Sequence, residues 1–466
     1  MPHASLVSQV SSTGESAPES IAIVGGGFAG AALAYHLLQL QSPLRIRIIE
    51  RAAQLGRGLA YAVESPVLRL NVPATRMSLD PERPDDFVQF AGCEATPRAF
   101  LPRREYGAYV EARLMQAARA QPERLQVIRG EAVAIEPGRI RLADGRCVSG
   151  DRIVVATGLA ASSGACSWPD DERVLDAWDE GACERAARAS RASKDGRMLL
   201  LGAGLSAIDV LSLLESAGHR AEVVVLSRHG LLPRPHSAQC SPFQLPSDFK
   251  PAPHQLRELV RWVRAVVREA ARNGADWQHG IDALRPHIPR LWQQLSARDR
   301  TRFERLVRPY WDVLRHRAPI NALAAIEARR ARGKLVVRAG RVLQCHARED
   351  GLDVSLRLRG GERTVERFSH VVRCLGPARS LEPLLAALVH ARLAQRDPAG
   401  LGIVTLEHGR LSDGAGQPSR QLFALGLPCR ASRWETTSVP EIVRDAVALA
   451  QLFTREALAA NRLTTA

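Results

Sequence analysis

The chain has 466 residues, 45% hydrophobic and 24% charged, which is globular composition and enough length for two or three domains. Its formal net charge of +15 comes almost wholly from dispersed Arg without interleaved aromatics, which argues against a nucleic-acid partner. No apolar run of about 18 residues exists, which excludes a membrane span, and the eight cysteines form no Cys-x-x-Cys pair, which excludes a zinc ribbon, a disulfide framework and a redox dithiol.

Residues 1–17 are rich in Ser, Ala and Glu and lack a cationic start followed by an apolar stretch. They read as a disordered tail rather than a signal peptide, and with reduced cysteines they suggest a cytoplasmic protein. Ile21-Ala22-Ile23-Val24 then runs straight into Gly25-Gly26-Gly27-Phe28-Ala29-Gly30 and the small-residue stretch Ala31–Ala34. This reads as strand, tight turn, helix. The glycines let the backbone approach a pyrophosphate, which sits on the positive helix N-terminus. The next alternating strand, Leu44–Ile49, ends in Glu50, about twenty residues past Gly30. A carboxylate there accepts hydrogen bonds from ribose hydroxyls and repels a 2′-phosphate. The first site therefore fits FAD or NAD, with Gly25, Gly27, Phe28, Ala29, Gly30, Glu50 and the adjoining Arg51 as expected contacts.

Arg152–Val155 is a buried strand ending in Ala156-Thr157-Gly158, and two later strands end alike, at Gly376 and at Gly426. Glycines at such ends permit close approach of a cofactor. Thr157, Gly158, Gly376 and Gly426 are assigned to the first nucleotide, although turn chemistry accounts for any one of them alone.

A second fingerprint, Gly202-Ala203-Gly204-Leu205-Ser206-Ala207, follows Met198–Leu201. Its closing strand, Glu222–Leu226, ends not in an acid but in Ser227-Arg228-His229. An Arg and a hydroxyl there suit a 2′-phosphate, so Gly202, Gly204, Leu205, Ser206, Ala207, Ser227, Arg228 and His229 predict an NADPH site. Ser206 can also cap its helix, and Arg234 and His236 add polar capacity nearby.

From Pro253 to Ala318, apolar residues recur at helical spacing, as in Leu256, Leu259, Val260, Val263 and Val267. This is either a helical subdomain over the active site, a dimer surface that would make a homo-oligomer, or a plain core-facing stripe. Arg315, His316 and Arg317 suit an acidic substrate or simply a helix end. The blocks expected are 18–195 as the first part of the FAD domain, 196–330 as the NADPH domain with the helical segment, and 331–466 completing the FAD domain. Strands near Leu335–Arg338 and Leu352–Leu356 open that last block. A final helix starts near Val439-Pro440-Glu441, after Trp434-Glu435-Thr436-Thr437.

With these motifs the chain resembles the flavin-dependent monooxygenases that carry an NADPH domain inside an FAD domain. More narrowly, it is similar to a bacterial group of FAD/NAD(P)-binding proteins with members thought to hydroxylate the amino nitrogen of amino acids such as aspartate. The narrower likeness rests on Gly58-Leu59-Ala60-Tyr61, Leu70-Asn71-Val72-Pro73-Ala74, Pro102–Gly107, Ser227–Pro233, Trp311-Asp312-Val313 with Arg315-His316-Arg317, and Trp434–Thr437. It implies an α/β fold of two Rossmann-like dinucleotide-binding domains, the NADPH domain inserted in the FAD domain, plus an extra helical segment. It implies FAD and NADPH as cofactors, a small-molecule substrate with O2, no metal, and an oxygen transfer through a C4a-hydroperoxyflavin to a nucleophilic atom such as an amine nitrogen. Asn71 is the expected flavin-edge group, with a structural Asn turn as the equal alternative, and Asn71, Arg57 and Glu435 are the catalytic candidates. Arg103 and Arg104 are candidates for a pyrophosphate or a carboxylate. Thr436 is expected at the flavin, where the final helix N-terminus would stabilise negative charge.

Two features depart from the pattern. The Phe-x-Gly-x-x-x-His-x-x-x-Trp signature of Baeyer–Villiger enzymes is missing, and Gly426 is followed by Leu427 instead of the Asp that often holds the ribityl chain. An NADPH-dependent flavin reductase serving a quinone or redox protein, and a non-catalytic nucleotide sensor, remain as alternatives.

Overall fold

The computed structural model describes residues 19–92, 96, 98–158, 166–189, 196–237, 243–245, 255–376 and 381–464; the tail expected over 1–17 lies outside them. The first unit opens with β1 (Ser20–Val24), α1 (Phe28–Gln39), β2 (Arg45–Glu50), α2 (Gly58–Tyr61), α3 (Asp86–Ala91), α4 (Arg103–Ala120) and β3 (Leu125–Arg129). A meander of β4 (Ala132–Glu136), β5 (Arg139–Leu142) and β6 (Cys147–Ser149) leads into β7 (Arg152–Val155). The chain returns much later with α13 (Pro383–His390), β15 (Arg410–Ser412), β16 (Pro418–Ala424) and α14 (Val439–Thr464).

These strands form one sheet in the order β15-β16-β7-β1-β2-β3, parallel except at β15. Ile21, Ala22 and Ile23 are fully buried because both faces are covered, which is why β1 reads as an unbroken apolar run. On one face α1 packs against α4 and α14, and its Ala31, Ala32 and Ala34 let the helix lie close to the strands. The meander and α13 cover the other face.

The second unit contains β8 (Val174–Asp176), α5 (Glu180–Ala189), β9 (Met198–Leu201), α6 (Leu205–Ser216) and β10 (Val223–Ser227). A helical segment follows: α7 (Leu256–Arg272), α8 (Trp277–Ala283), α9 (Ile288–Gln294), α10 (Ala297–Arg302) and α11 (Arg308–Arg315). Then come α12 (Ile320–Ala331), β11 (Leu335–Arg348), β12 (Gly351–Leu358), β13 (Arg363–Phe368) and β14 (His370–Arg373). The sheet order is β13-β12-β11-β10-β9-β14-β8.

This order corrects all three domain limits, 18–195, 196–330 and 331–466, because β8 and α5 also lie with the second sheet. β11 lies parallel to β10 with Val223 opposite Leu335, and β14 lies between β9 and β8, so the strands near 335 and 352 belong to the second sheet. The second unit thus spans β8 to β14. Alternating apolar residues announce a strand but not its partner, and a parallel partner more than a hundred residues away has no local signal.

The helical segment is inserted between β10 and β11, yet it docks on the first unit. Its core of Leu256, Val266, Ile281, Trp292, Phe303 and Trp311 includes Trp434, which precedes α14. The Trp292 indole donates to the Ala431 carbonyl at 2.8 Å and stacks on Trp434 with centroids 4.7 Å apart. Arg285 grips Glu441 in the first turn of α14 with contacts of 2.6 and 2.8 Å, and Arg315 donates to Glu435 at 2.8 Å. The pair side chains are only about a tenth exposed. No helix among the described residues is long and apolar enough to cross a membrane.

Replacing Glu441 with Ala strands the Arg285 guanidinium in this buried contact. It should cost about 3–5 kcal/mol of stability, read as a lower urea midpoint, with new protease cleavage in the helical segment. A variant as stable as the parent would show the pair to be idle.

Candidate functional site

Four strand ends meet at one edge of the first sheet: Gly25 after β1, Glu50 at the end of β2, Thr157 after β7 and Gly426 after β16. The turn after β1 has no room for side chains. A Cβ on Gly30 would lie 2.0 Å from the Gly25 carbonyl oxygen, and one on Gly25, whose φ is +102°, would lie 2.7 Å from the Ala156 carbonyl oxygen. The N-cap of α1 is Gly27, with no side chain closing the helix end, so its first amides face outward as donors. Glu50 accepts hydrogen bonds from the amides of Gly26 at 2.7 Å and Ala52 at 2.8 Å, which aims the carboxylate at the mouth of the turn. Gly426 (φ +73°) lies across from Ala29, where a Cβ would sit 3.2 Å from the Ala29 Cβ.

Two hydroxyls test whether a ligand fits. The Thr157 and Thr436 Oγ1 atoms are buried and have no hydrogen-bond partner among the described residues. Buried hydroxyls are almost always paired, so the orphan on Thr157, at the glycine-lined edge, fits a polar ligand supplied from outside the chain, while that on Thr436 lies in the segment before α14. Phe28 meets Tyr61 edge-on and Tyr106 at a tilt, at centroid distances of 6.0 and 5.7 Å. Burial pushes the Tyr61 phenol up to about 12, so it stays protonated.

The second sheet repeats the arrangement. Gly202 (φ +115°) follows β9, and a Cβ there would lie 2.2 Å from the Cys374 carbonyl oxygen. Gly204 is the N-cap of α6, again with no side-chain cap, and a Cβ on it would meet nothing within 4 Å. The protein's own packing does not demand that glycine, which leaves the backbone open to close approach. Leu205 and Ala207 sit in the first turn of α6. Ser206 makes no cap; it lines a small cavity with Arg103, Glu180 and Asp209. The Ser227 hydroxyl accepts from the Gly230 amide at 3.0 Å, and Arg228 projects exposed beside His229.

Gly376 corrects an expectation. It follows β14, which pairs with β9, so it lies at the second nucleotide edge and not at the first. Arg51 is exposed and 3.5 Å from Glu131. Arg57 donates to Glu111 at 2.9 Å, and Glu435 is engaged by Arg315 and by the Trp311 indole at 3.2 Å. Two of the three catalytic candidates, Arg57 and Glu435, therefore carry structural partners. Arg104 donates to the Glu64 carbonyl at 3.2 Å.

Between the two edges lies a polar junction that motifs could not foretell. Arg103 pairs with Asp209 of α6 at 2.7 Å, and the Glu180 carboxylate accepts from the amides of Glu64 and Ser65. Burial raises the Asp209 carboxyl against the pull of Arg103. The Asn71 carbonyl accepts from His236 Nε2 at 2.8 Å, so the turn expected at the flavin edge meets the second unit. Arg317 pairs with Asp282, and Arg76 approaches Asp282 at 3.7 Å. Burial together with Arg285, Arg315 and Arg317 lowers Arg76, a sign of crowded positive charge. Asp209, Glu180, Arg76, Asp282 and Arg285 had no motif around them to mark them.

Residues 22–160 match a family profile described as FAD-NAD(P)-binding. The domain holds the first edge as far as Gly158. A relative, the uncharacterized protein YdhS of Escherichia coli strain K12, is 26% identical over 322 residues, covering 56% of this chain. The match covers 57% of YdhS, so the chain spans little more than half the length of that relative. Among solved structures, the ornithine N-hydroxylase KtzI of Kutzneria sp. 744 superposes with a TM-score of 0.64 at 16% identity, over 94% of this chain and 99% of that one. The ornithine hydroxylase PvdA of Pseudomonas aeruginosa gives 0.60 at 19% identity, over 94% and 99%. At such identities the likeness establishes the fold alone.

Thr157→Val should leave the ligand-free protein at least as stable as the parent, because it removes an unpaired buried hydroxyl, while weakening FAD by about 1 kcal/mol. Reconstitution titrated by flavin absorbance, alongside a urea curve, reads both; unchanged FAD affinity would show that Thr157 does not face the cofactor.

His236 carries a pH signature. Burial first, then Arg317 and Arg76, hold its imidazole at about 4, below the ordinary 6.5. The unfolded chain takes up the proton more readily, so this contribution is complete above about pH 6.5 and is lost as pH falls toward 4. Between pH 7 and 5 the parent should lose about 1–2 kcal/mol more stability than His236→Gln. Parallel urea midpoints for the two proteins would contradict the assignment.

Proposed function

We propose that the protein is an FAD-dependent, NADPH-using monooxygenase that hydroxylates a nucleophilic atom, an amine nitrogen of an amino-acid-like substrate. The observation that carries this reading is the pair of glycine-lined, uncapped helix ends, one per sheet, in an architecture that follows two ornithine hydroxylases over 94% of the chain.

Gly25, Gly27, Phe28, Ala29, Gly30, Glu50, Thr157, Gly158, Gly426 and Thr436 would hold FAD. Gly202, Gly204, Leu205, Ser206, Ala207, Ser227, Arg228, His229 and the reassigned Gly376 would hold NADPH. FAD supplies two-electron exchange with NADPH and the activation of O2 when bound. The chain supplies orientation and dryness. The Glu50 carboxylate would take the ribose hydroxyls, the Thr157 and Thr436 hydroxyls would turn their unmet hydrogen bonds to the cofactor, and the α14 N-terminus would offer positive dipole to a developing negative charge. Trp434, pinned by Trp292 and the two Arg–Glu pairs, keeps the helical segment closed over that end of α14 and water away from it. Asn71, set between this segment and the second unit, is the polar group proposed to meet the substrate.

Purified protein should be yellow, and an amino acid should stimulate NADPH oxidation with uptake of O2 and a product about sixteen mass units heavier. Dye reduction without O2, and without any change in substrate mass, would favour a reductase. A colourless protein that takes up no FAD would end the redox reading.

Arg228→Ala should raise the KM for NADPH by at least about tenfold with little change for NADH, because only NADPH carries the phosphate that the guanidinium meets. Equal changes for both would remove Arg228 from the phosphate site.

A further inference from the structure

The end of β10, where the fingerprint places Ser227 and Arg228, is flanked by residues from distant parts of the chain. Ser227, the last residue of β10, lies opposite Ala339 in β11. The Arg359 amide donates to the Ala339 carbonyl at 2.9 Å, which brings the turn after β12 level with the end of β10. The two backbones are two strand spacings apart, roughly 10 Å, a gap that two Arg side chains can close around one phosphate. Arg228 and Arg359 are both exposed, and neither guanidinium forms an ion pair among the described residues. Asp312, which senses Arg228, is already held by Arg308 at 3.1 Å.

Above this gap stands Tyr310 on α11. It is 50% exposed, unusual for a large aromatic, and its ring centroid is 5.9 Å from that of His229 at a 51° tilt. Partial burial first, then Arg228 and Arg359, lower the His229 imidazole, so it presents a neutral ring at pH 7. The two rings form an aromatic corner beside two unpaired cations, at the end of a nucleotide-binding strand.

We propose that Arg359 and Tyr310 complete the adenosine 2′-phosphate subsite: Arg359 and Arg228 clamp the phosphate from neighbouring strands, and Tyr310 with His229 takes the adenine face. This rests on the NADPH reading above and adds residues from the β12–β13 turn and the helical segment, more than eighty positions from the fingerprint's own strand end. A phosphorylated nucleoside would therefore touch the segment that also grips α14.

Calorimetric titration of the full-length protein with 2′,5′-ADP and with 5′-ADP separates the contributions without turnover. The parent should prefer 2′,5′-ADP. Arg359→Ala should cut that preference about tenfold and leave 5′-ADP binding unchanged. Tyr310→Ala should weaken both ligands by the same factor, about three- to tenfold, and Tyr310→Phe should keep parental affinity because stacking persists. Full preference retained in Arg359→Ala, or parental binding of both ligands in Tyr310→Ala, would overturn the inference and leave the NADPH reading standing. Equal affinity of the parent for the two ligands would overturn both.

Discussion

Two backbone turns that admit no side chain organise the molecule. The Gly25–Gly30 turn presses α1 against its own strand end and against Ala156, and Gly202 presses on Cys374 in the same way. In each case the glycines let a helix N-terminus sit directly over the edge of a parallel sheet. Because no side chain among the described residues caps those helices, their first amides are open to a partner from outside. An anionic dinucleotide satisfies geometry, hydrogen bonding and dipole at once.

Holding two such edges in one orientation is a separate problem, and the structure meets it with desolvated charge. Arg103–Asp209, Arg285–Glu441 and Arg315–Glu435 link segments far apart in sequence, and all six side chains are a fifth exposed or less. Pairs of this kind add little net stability, since removing two ions from water offsets their attraction. Breaking one is costly, and that asymmetry favours a single arrangement of the units over near alternatives. The helical segment shows the consequence: chain-wise it belongs to the second unit, yet its tryptophans and arginines are committed to the start of α14 in the first.

Function follows from that commitment. Between the Asn71 turn and the helical segment, Arg76, Arg285, Arg315 and Arg317 form a dense set of cations compensated by Asp282, Glu435 and Glu441. The same segment carries Tyr310 to the far end of the second sheet. One element thus borders the start of α14, the junction and the end of β10.

Much of this was legible in the chain. Periodicity and glycine spacing identified β1–α1–β2 and β9–α6–β10, the start of α14 and the helical character of the segment after Pro253, because each depends on residues within one turn or one strand. Sheet membership was not legible. β11 to β14 carry ordinary alternation, and only three-dimensional pairing put them with β10 and β9, which moved Gly376 from one nucleotide to the other. The roles of Arg57 and Glu435 as ion-pair partners, and the nearness of Arg359 to Arg228, were equally hidden. Short-range geometry is written residue by residue, whereas long-range pairing depends on which buried surfaces and charges find each other once the whole chain has folded.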